Sequence, residues 1–125
     1  MTAYGLLLCD DFIFTSRIVG TAEVFRLVMR SAKSSAELLN FARQTPPACV
    51  IIDLSTPGLA IEVVVAELLA MTPRPFVVGY GSHVDTATLK AARDAGCDIV
   101  WPRSKFVEAL PTALPEWFRR EEKTA

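Results

Sequence analysis

Alternation between two kinds of segment constrains the fold of this chain more than any single motif does. Short apolar runs, which predict buried strands, take turns with longer segments in which apolar residues recur at helical spacing. The predicted strands are Tyr4–Cys9, Leu27–Ala32, Cys49–Ile52, Phe76–Val78 and Asp98–Trp101. Unbroken apolar strands separated by helices are typical of a parallel sheet covered by helices on both faces. The pattern therefore predicts an α/β sandwich of three layers.

A predicted helix follows each strand, which indicates a doubly wound (βα)5 arrangement of the flavodoxin-like class. For such a chain we expect the strand order 2-1-3-4-5, with ligands outside the carboxyl ends of the strands. The helix after the fourth strand is expected to begin at the cap residue Asp85 and to stop at Gly96. We expect Ser104 to cap the last helix, and Pro111 and Pro115 to kink that helix or split it in two.

Length and composition limit the class of protein. The chain has 125 residues, 51% of them hydrophobic, which predicts one domain over residues 1–120 and a charged tail at 121–125. Thirteen basic and 14 acidic residues give a net charge of −1, which argues against binding to nucleic acid or to a membrane surface. The sequence has no recognisable signal peptide, and its three cysteines lie far apart in or beside apolar runs. We therefore expect a cytoplasmic protein with reduced thiols.

Three acidic residues come at the ends of two predicted strands. Asp10 and Asp11 follow the first strand, and Asp53 follows the third. In the order 2-1-3-4-5 these strands are neighbours, so the three carboxylates are expected to converge and to repel one another unless a cation compensates them. Oxygen ligands without His or Cys favour Mg²⁺. The alternative is that Asp10 and Asp11 are solvated loop acids, or a cap for the first helix.

Three motifs together resemble a known family. They are the Asp10–Asp11 pair, the segment DLSTPG from Asp53 through the turn Thr56-Pro57-Gly58, and the segment AGCD at 95–98. Over about residues 4–118 the chain resembles the CheY-like receiver domain of response regulators in two-component signalling. The resemblance implies a signalling module rather than an enzyme, with Asp53 as phosphoacceptor and Mg²⁺ held by Asp10 and Asp11. It also implies a histidine kinase or phosphotransfer protein as one partner and a downstream protein as another.

Two positions depart from the family pattern, which marks an atypical receiver. The family has a Ser or Thr after the fourth strand, where an ungapped count places Gly81 and a shift of one residue places Ser82. It has a Lys after the fifth strand, where the chain has Arg103, with Lys105 two residues further on. Arg and Lys approach a phosphate differently. Two interpretations stay open: a receiver phosphorylated on Asp53, or a pseudo-receiver that acts as an interaction or dimerisation module.

Other functional classes fit the sequence less well. A flavodoxin-like cofactor binder needs a phosphate-binding loop after the first strand, where Asp10 and Asp11 would repel a phosphate. A hydrolase with an aspartate nucleophile needs a second acid at the position of Ser55. The apolar helix predicted over Leu59–Met71 is either deeply covered or an exposed surface for a homodimer or for docking of a partner protein. Because no effector domain follows residue 125, the domain is expected to act alone.

Overall fold

A computed structural model describes residues 3–119 of the chain. The strands are β1 Tyr4–Leu8, β2 Val28–Ala32, β3 Cys49–Asp53, β4 Phe76–Gly81 and β5 Ile99–Pro102. The helices are α1 Phe12–Val24, α2 Ser35–Gln44, α3 Ile61–Leu69, α4 Thr86–Ala95 and α5 Arg103–Arg119. All neighbouring strands pair in parallel, in the order β2-β1-β3-β4-β5. The predicted fold class and strand order are therefore confirmed, while the predicted tail at 121–125 lies outside the described residues.

The two faces of the sheet carry separate hydrophobic cores. Leu6 and Leu8 of β1 pack in one core with residues of α2, α3 and α4, whereas Leu7 and Cys9 pack in the other with residues of α1 and α5. Successive side chains of a strand point to opposite faces, so an unbroken apolar strand supplies both cores at once. This explains why the strands read as continuous apolar runs, and it produces the three predicted layers.

Several boundaries differ from those expected. The helical spacing of apolar residues predicts a start for the first helix at Thr15, but α1 begins at Phe12 because the side chain of Asp11 caps it. Strand β4 continues beyond Val78 to Gly81, since its last residues pair with β5 as far as Gly81 opposite Pro102. Asp85 caps α4, and Gly96 ends it with a φ of 111°, both as predicted.

The last helix departs most from expectation. Helix α5 begins at Arg103, directly after β5, so Ser104 lies inside it and is not its N-cap. Pro111 and Pro115 both lie within this single helix, so the expected division into two is wrong. A proline inside a helix costs about 3 kcal/mol, whereas burying a large apolar side chain contributes roughly 1.5–3 kcal/mol. Five buried side chains hold α5 on the sheet and outweigh the prolines: Phe106, Leu110, Leu114, Trp117 and Phe118.

Helix α3 is the apolar helix that the sequence marks as a possible surface for dimerisation. It spans Ile61–Leu69, shorter than predicted, and four of its side chains are buried. Val63 points away from the core and is 56% exposed. Most of its apolar character is therefore explained by burial. Among residues 3–119 no helix is long and apolar enough to cross a membrane.

Candidate functional site at the carboxyl edge of the sheet

Asp53 is the last residue of β3 and the one charged residue that is buried within residues 3–119, with 6% of its surface exposed. Its carboxylate is held by two hydrogen bonds. Oδ1 accepts from the backbone N–H of Ser55 at 2.9 Å, and Oδ2 accepts from the thiol of Cys9 at 3.5 Å. Leu8, the last residue of β1, pairs with Ile52 of β3, so the residues that follow them, Cys9 and Asp53, come to face each other. The buried carboxylate of Asp53 therefore lies at the carboxyl edge of the sheet, where ligands of this fold bind.

Asp10 and Asp11 lie in the loop that leaves β1, the strand next to β3, and so at the same edge of the sheet as Asp53; both are exposed. Oδ1 of Asp11 accepts a hydrogen bond from the backbone N–H of Phe14 at 3.0 Å and so caps α1. The side chain of Asp10 makes no hydrogen bond or ion pair within residues 3–119. The alternative function for this pair, a helix cap, therefore holds for Asp11, while the carboxylate of Asp10 is available to a ligand.

The oxygen atoms of these three acids form the candidate metal-binding set. Within the described part of the chain, no three or more His, Cys, Asp or Glu side chains are already grouped so that they could hold a metal ion. Mg²⁺, however, keeps several waters and is commonly held by only one or two carboxylates together with substrate phosphate. Asp10, Oδ2 of Asp11 and Asp53 supply oxygen ligands of that kind. The residues fit the ion chemically, and Mg²⁺ binding by Asp10, Asp11 and Asp53 stays a prediction.

The turn after Asp53 is held by hydrogen bonds to the backbone carbonyl of Asp53. Thr56 is buried, and both its N–H and its hydroxyl donate to the carbonyl of Asp53, at 3.0 and 2.7 Å. Gly58 follows Pro57 with a φ of 73°, a left-handed conformation that glycine adopts without strain. The Thr56-Pro57-Gly58 segment therefore fixes the backbone from which the Asp53 side chain projects.

Arg103 and Lys105, the two basic candidates for contact with a phosphoryl group, point in different directions. The guanidinium of Arg103 lies over the Phe14 ring, 5.6 Å from its centroid, and donates to Oγ of Ser55 at 3.4 Å. Arg103 thereby reaches the loop that holds Asp53. The ammonium of Lys105 lies instead over the ring of Trp101, at 5.1 Å. Of these two cations, only Arg103 contacts the loop that surrounds Asp53.

Comparison with known proteins gives matches by structure alone. No family model matches the sequence, and no curated protein matches it. Several solved structures match over almost the whole of both chains, among them the following three. A response regulator receiver domain protein (CheY-like) from Methanospirillum hungatei JF-1 has a TM-score of 0.84 and 14% identity, and covers 100% of both chains. A response regulator receiver domain protein from Clostridium thermocellum has a TM-score of 0.82 and 21% identity, with 98% of this chain and 99% of that chain covered. The receiver domain of NtrX from Brucella abortus has a TM-score of 0.77 and 16% identity, with 92% and 98% covered.

The chain has the receiver-domain fold. A longer NtrX structure, in complex with ADP, matches 99% of this chain at a TM-score of 0.83 and 17% identity, but the match spans only 29% of the NtrX chain. The likeness therefore concerns a single receiver unit and not the remainder of that protein.

Gly81 and Ser82 are the two candidates for the position at which the resemblance implies a hydroxyl, and they follow each other at the end of β4. Gly81 follows Tyr80, the residue that pairs with Asp53, and a Cβ added to Gly81 would come within 3.4 Å of the side chain of Leu54. Ser82 is the next residue, and its Oγ accepts from the backbone N–H of Val84 at 3.3 Å. Ser82 and Arg103 both line a surface cavity of about 450 Å³, together with Phe14, His83, Ser104 and Val107.

Two residues of this candidate site are not apparent from the sequence. Local pattern marks Cys9 only as a buried thiol, and Tyr80 only as part of the end of a strand. Tyr80 is fully buried and donates its hydroxyl hydrogen to Sγ of Cys9 at 3.3 Å. Burial, this hydrogen bond and the nearby carboxylate of Asp53 all raise the pKa of Tyr80, so its hydroxyl keeps its proton. The register of neighbouring strands was the available signal, because it brings Cys9 opposite Asp53.

Proposed function

We propose that this chain is a receiver domain of two-component signalling that accepts a phosphoryl group on Asp53. The observation that carries the proposal is the position of Asp53: a buried carboxylate at the carboxyl end of β3, at the same edge of the sheet as the exposed Asp10 and Asp11 that follow β1. The receiver-domain fold supports it, because that fold is shared with response regulators.

In the proposed reaction, one carboxylate oxygen of Asp53 attacks the phosphorus of a phosphohistidine or of an acyl phosphate. The new O–P bond forms as the bond from phosphorus to the donor nitrogen or oxygen breaks, and the electron pair leaves with the donor. When bound, Mg²⁺ neutralises negative charge on the phosphoryl oxygens. Asp10 and Asp11 would hold that ion, the Ser55 N–H orients Asp53, and Arg103, which reaches Oγ of Ser55, would pair with a phosphoryl oxygen.

The phosphoryl contacts proposed here are atypical. Gly81 has no side chain, so we propose Ser82, the next residue after β4, as the hydroxyl that contacts the phosphoryl group. Arg103 takes the place of the Lys that the resemblance implies. The partners we propose are a histidine kinase or phosphotransfer protein that supplies the phosphoryl group, and a protein that reads the modified domain.

The direct test is incubation with acetyl phosphate and Mg²⁺, followed by intact mass measurement. The wild-type protein should gain one phosphoryl group, and EDTA should abolish the gain. Asp53→Asn should gain none, whereas Asp94→Asn, which removes an exposed carboxylate on α4, should behave as wild type. A wild-type protein that gains nothing in excess donor, or an Asp53→Asn variant that gains as much, would overturn the proposal.

A second candidate is a pseudo-receiver that binds protein without phosphorylation, as a homodimer or as an interaction module. Exposed apolar side chains favour it: Phe12 and Ile13 at the start of α1 are 82% and 72% exposed, and Val63 of α3 is also exposed. Gel filtration of the protein before and after treatment with acetyl phosphate separates the two. A dimer that forms equally in wild type and in Asp53→Asn would favour the pseudo-receiver. A flavodoxin-like cofactor binder would instead be coloured when purified.

A further inference from the structure

A chain of three buried polar groups runs inward from the proposed phosphoacceptor. The Tyr80 hydroxyl donates to Sγ of Cys9 at 3.3 Å, and Sγ of Cys9 lies 3.5 Å from Oδ2 of Asp53. Tyr80, Cys9 and Asp53 have exposed fractions of 0%, 3% and 6%. Such a chain is strengthened by its shielding from water, and each member fixes the orientation of the next.

The direction of this chain follows from which groups can donate. A carboxylate only accepts, and the Tyr80 hydroxyl keeps its proton, so the thiol hydrogen of Cys9 is free to point at Asp53. One other acceptor competes for it, the backbone carbonyl of Asp11, whose oxygen also lies 3.5 Å from Sγ. The charged carboxylate is the stronger acceptor of the two. Any change that removes the charge of Asp53 therefore alters the balance between these two bonds.

Tyr80 connects this chain to an aromatic cluster between the sheet and the helices α1 and α5. Its ring stacks on Phe14 of α1 with centroids 5.3 Å apart and on Phe106 of α5 at 4.3 Å. Phe106 in turn stacks on Trp117 at 6.1 Å. These rings pack α1 and α5 against the sheet. A shift of the Tyr80 hydroxyl therefore changes the packing of both helices.

We propose that Cys9 is a positioning residue, whose thiol couples the state of Asp53 to the aromatic cluster of Tyr80, Phe14, Phe106 and Trp117. The inference rests on the proposed function, because phosphorylation is the event that changes Asp53. Phosphorylation converts one carboxylate oxygen into the bridging oxygen of an acyl phosphate and leaves the other as a neutral carbonyl oxygen. The thiol hydrogen then turns toward the carbonyl of Asp11. The lone pairs of Sγ that accept from the Tyr80 hydroxyl turn with it, so the hydroxyl reorients. The coupling passes through β1 and β4, and it uses neither Ser82 nor a side chain at Gly81.

The first test requires no phosphorylation. The infrared S–H stretching band of Cys9 is identified as the band that disappears in Cys9→Ala, which separates it from those of Cys49 and Cys97. In Asp53→Asn this band should move to higher wavenumber, because an amide oxygen is a weaker acceptor than a carboxylate. The band should stay in place in Asp94→Asn, an exposed carboxylate at a distance from the site. A band that does not move in Asp53→Asn would show that the thiol bonds to the Asp11 carbonyl, and would overturn the inference.

The second test measures the coupling itself. Tryptophan emission is followed on addition of acetyl phosphate and Mg²⁺, and each change is divided by the phosphorylated fraction from intact mass. Per phosphoryl group, Cys9→Ala and Tyr80→Phe should lose most of the wild-type emission change, while Cys9→Ser, which restores a donor, should keep a substantial part of it. A full emission change in Cys9→Ala or in Tyr80→Phe would overturn the coupling. Equal losses in Cys9→Ala and Cys9→Ser would also overturn it, because the donor would then be irrelevant. A wild-type protein that gains no phosphoryl group overturns the proposed function instead, and the infrared test still judges the role of Cys9.

Discussion

Replacing Arg103 by glutamine tests the most specific feature of the proposed site. The guanidinium of Arg103 reaches Oγ of Ser55 at 3.4 Å, and the backbone N–H of the same serine holds Asp53. A phosphoryl group on Asp53 would place a doubly charged anion next to that guanidinium. Glutamine keeps much of the length of the side chain and removes only its charge and fork of donors. Arg103→Gln should therefore slow phosphorylation of Asp53 while the fold is retained.

The size of the effect follows from the kind of hydrogen bond that the substitution removes. A hydrogen bond to a charged group is worth about 1.5–3 kcal/mol, and Arg103 is only partly buried, so water screens part of its charge. We therefore expect an effect near the lower value, about 1.5 kcal/mol, which corresponds to roughly a tenfold slower reaction. The assay is the initial rate of phosphoryl gain from acetyl phosphate at saturating Mg²⁺, followed by intact mass. Urea unfolding of the same variant checks that the fold is unchanged.

Lys105→Gln is the matched control for Arg103→Gln. The Lys105 ammonium lies over the Trp101 ring and away from the Asp53 loop, so its removal should leave the rate within about twofold of wild type. Both variants remove one positive charge, so a general electrostatic effect on the anionic donor would slow them equally. The reasoning is refuted if Lys105→Gln reacts tenfold more slowly, or if Arg103→Gln reacts as fast as wild type.

The remaining predictions concern folding. Phe106→Ala removes a fully buried ring stacked between two aromatic neighbours, and should lower the free energy of unfolding in urea by about 3–5 kcal/mol. Gly96→Ala places a Cβ 2.8 Å from the side chain of Leu69 at a φ of 111°, and should cost about 1–3 kcal/mol. Its control, Gly20→Ala in α1, meets nothing within 4 Å and should instead stabilise by about 0.5–1 kcal/mol. Burial and a nearby carboxylate raise the pKa of Cys97 from 9.0 to about 11. The folded state then holds that proton longer than the unfolded state, so stability should fall as pH rises from about 9 to about 11. Cys97→Ala should reduce that fall, and a stability that rises across the window would contradict the reasoning.

The sheet could be predicted from the sequence because its pattern depends on local composition. An apolar run such as Cys49–Ile52 is buried on both faces wherever it lies in a parallel sheet, so its composition alone marks it as a central strand. Start and stop signals are equally local: Asp85 caps the backbone three residues ahead, and Gly96 adopts the left-handed conformation that ends α4. Strand order and layers then follow from the fold rules for alternating strands and helices.

Helix α5 shows where local rules fail. Pro111 and Pro115 are helix breakers by every local criterion, yet both lie inside one helix. The free energy that keeps the helix whole comes from side chains such as Trp117 that pack on the sheet. Those contacts join segments far apart in the chain, so the residues next to the prolines do not predict them. Strand β4 is longer than its local pattern predicts for a similar reason. Gly79 and Gly81 are poor strand residues alone, but they pair with β5 and leave room for the side chain of Leu54.

By itself the sequence determined the class of fold and the edge of the sheet at which Asp10, Asp11 and Asp53 lie, because strand identity and strand order depend on local pattern and general topology. Only the tertiary structure decided which contacts Asp11 and Asp53 make. It made Asp11 a helix cap, placed the Cys9 thiol on Asp53 across 44 residues of sequence, and brought Arg103, not Lys105, to the Ser55 loop. Such choices depend on the rotamer and register of segments far apart in the chain. Their free energies arise only when the segments pack together.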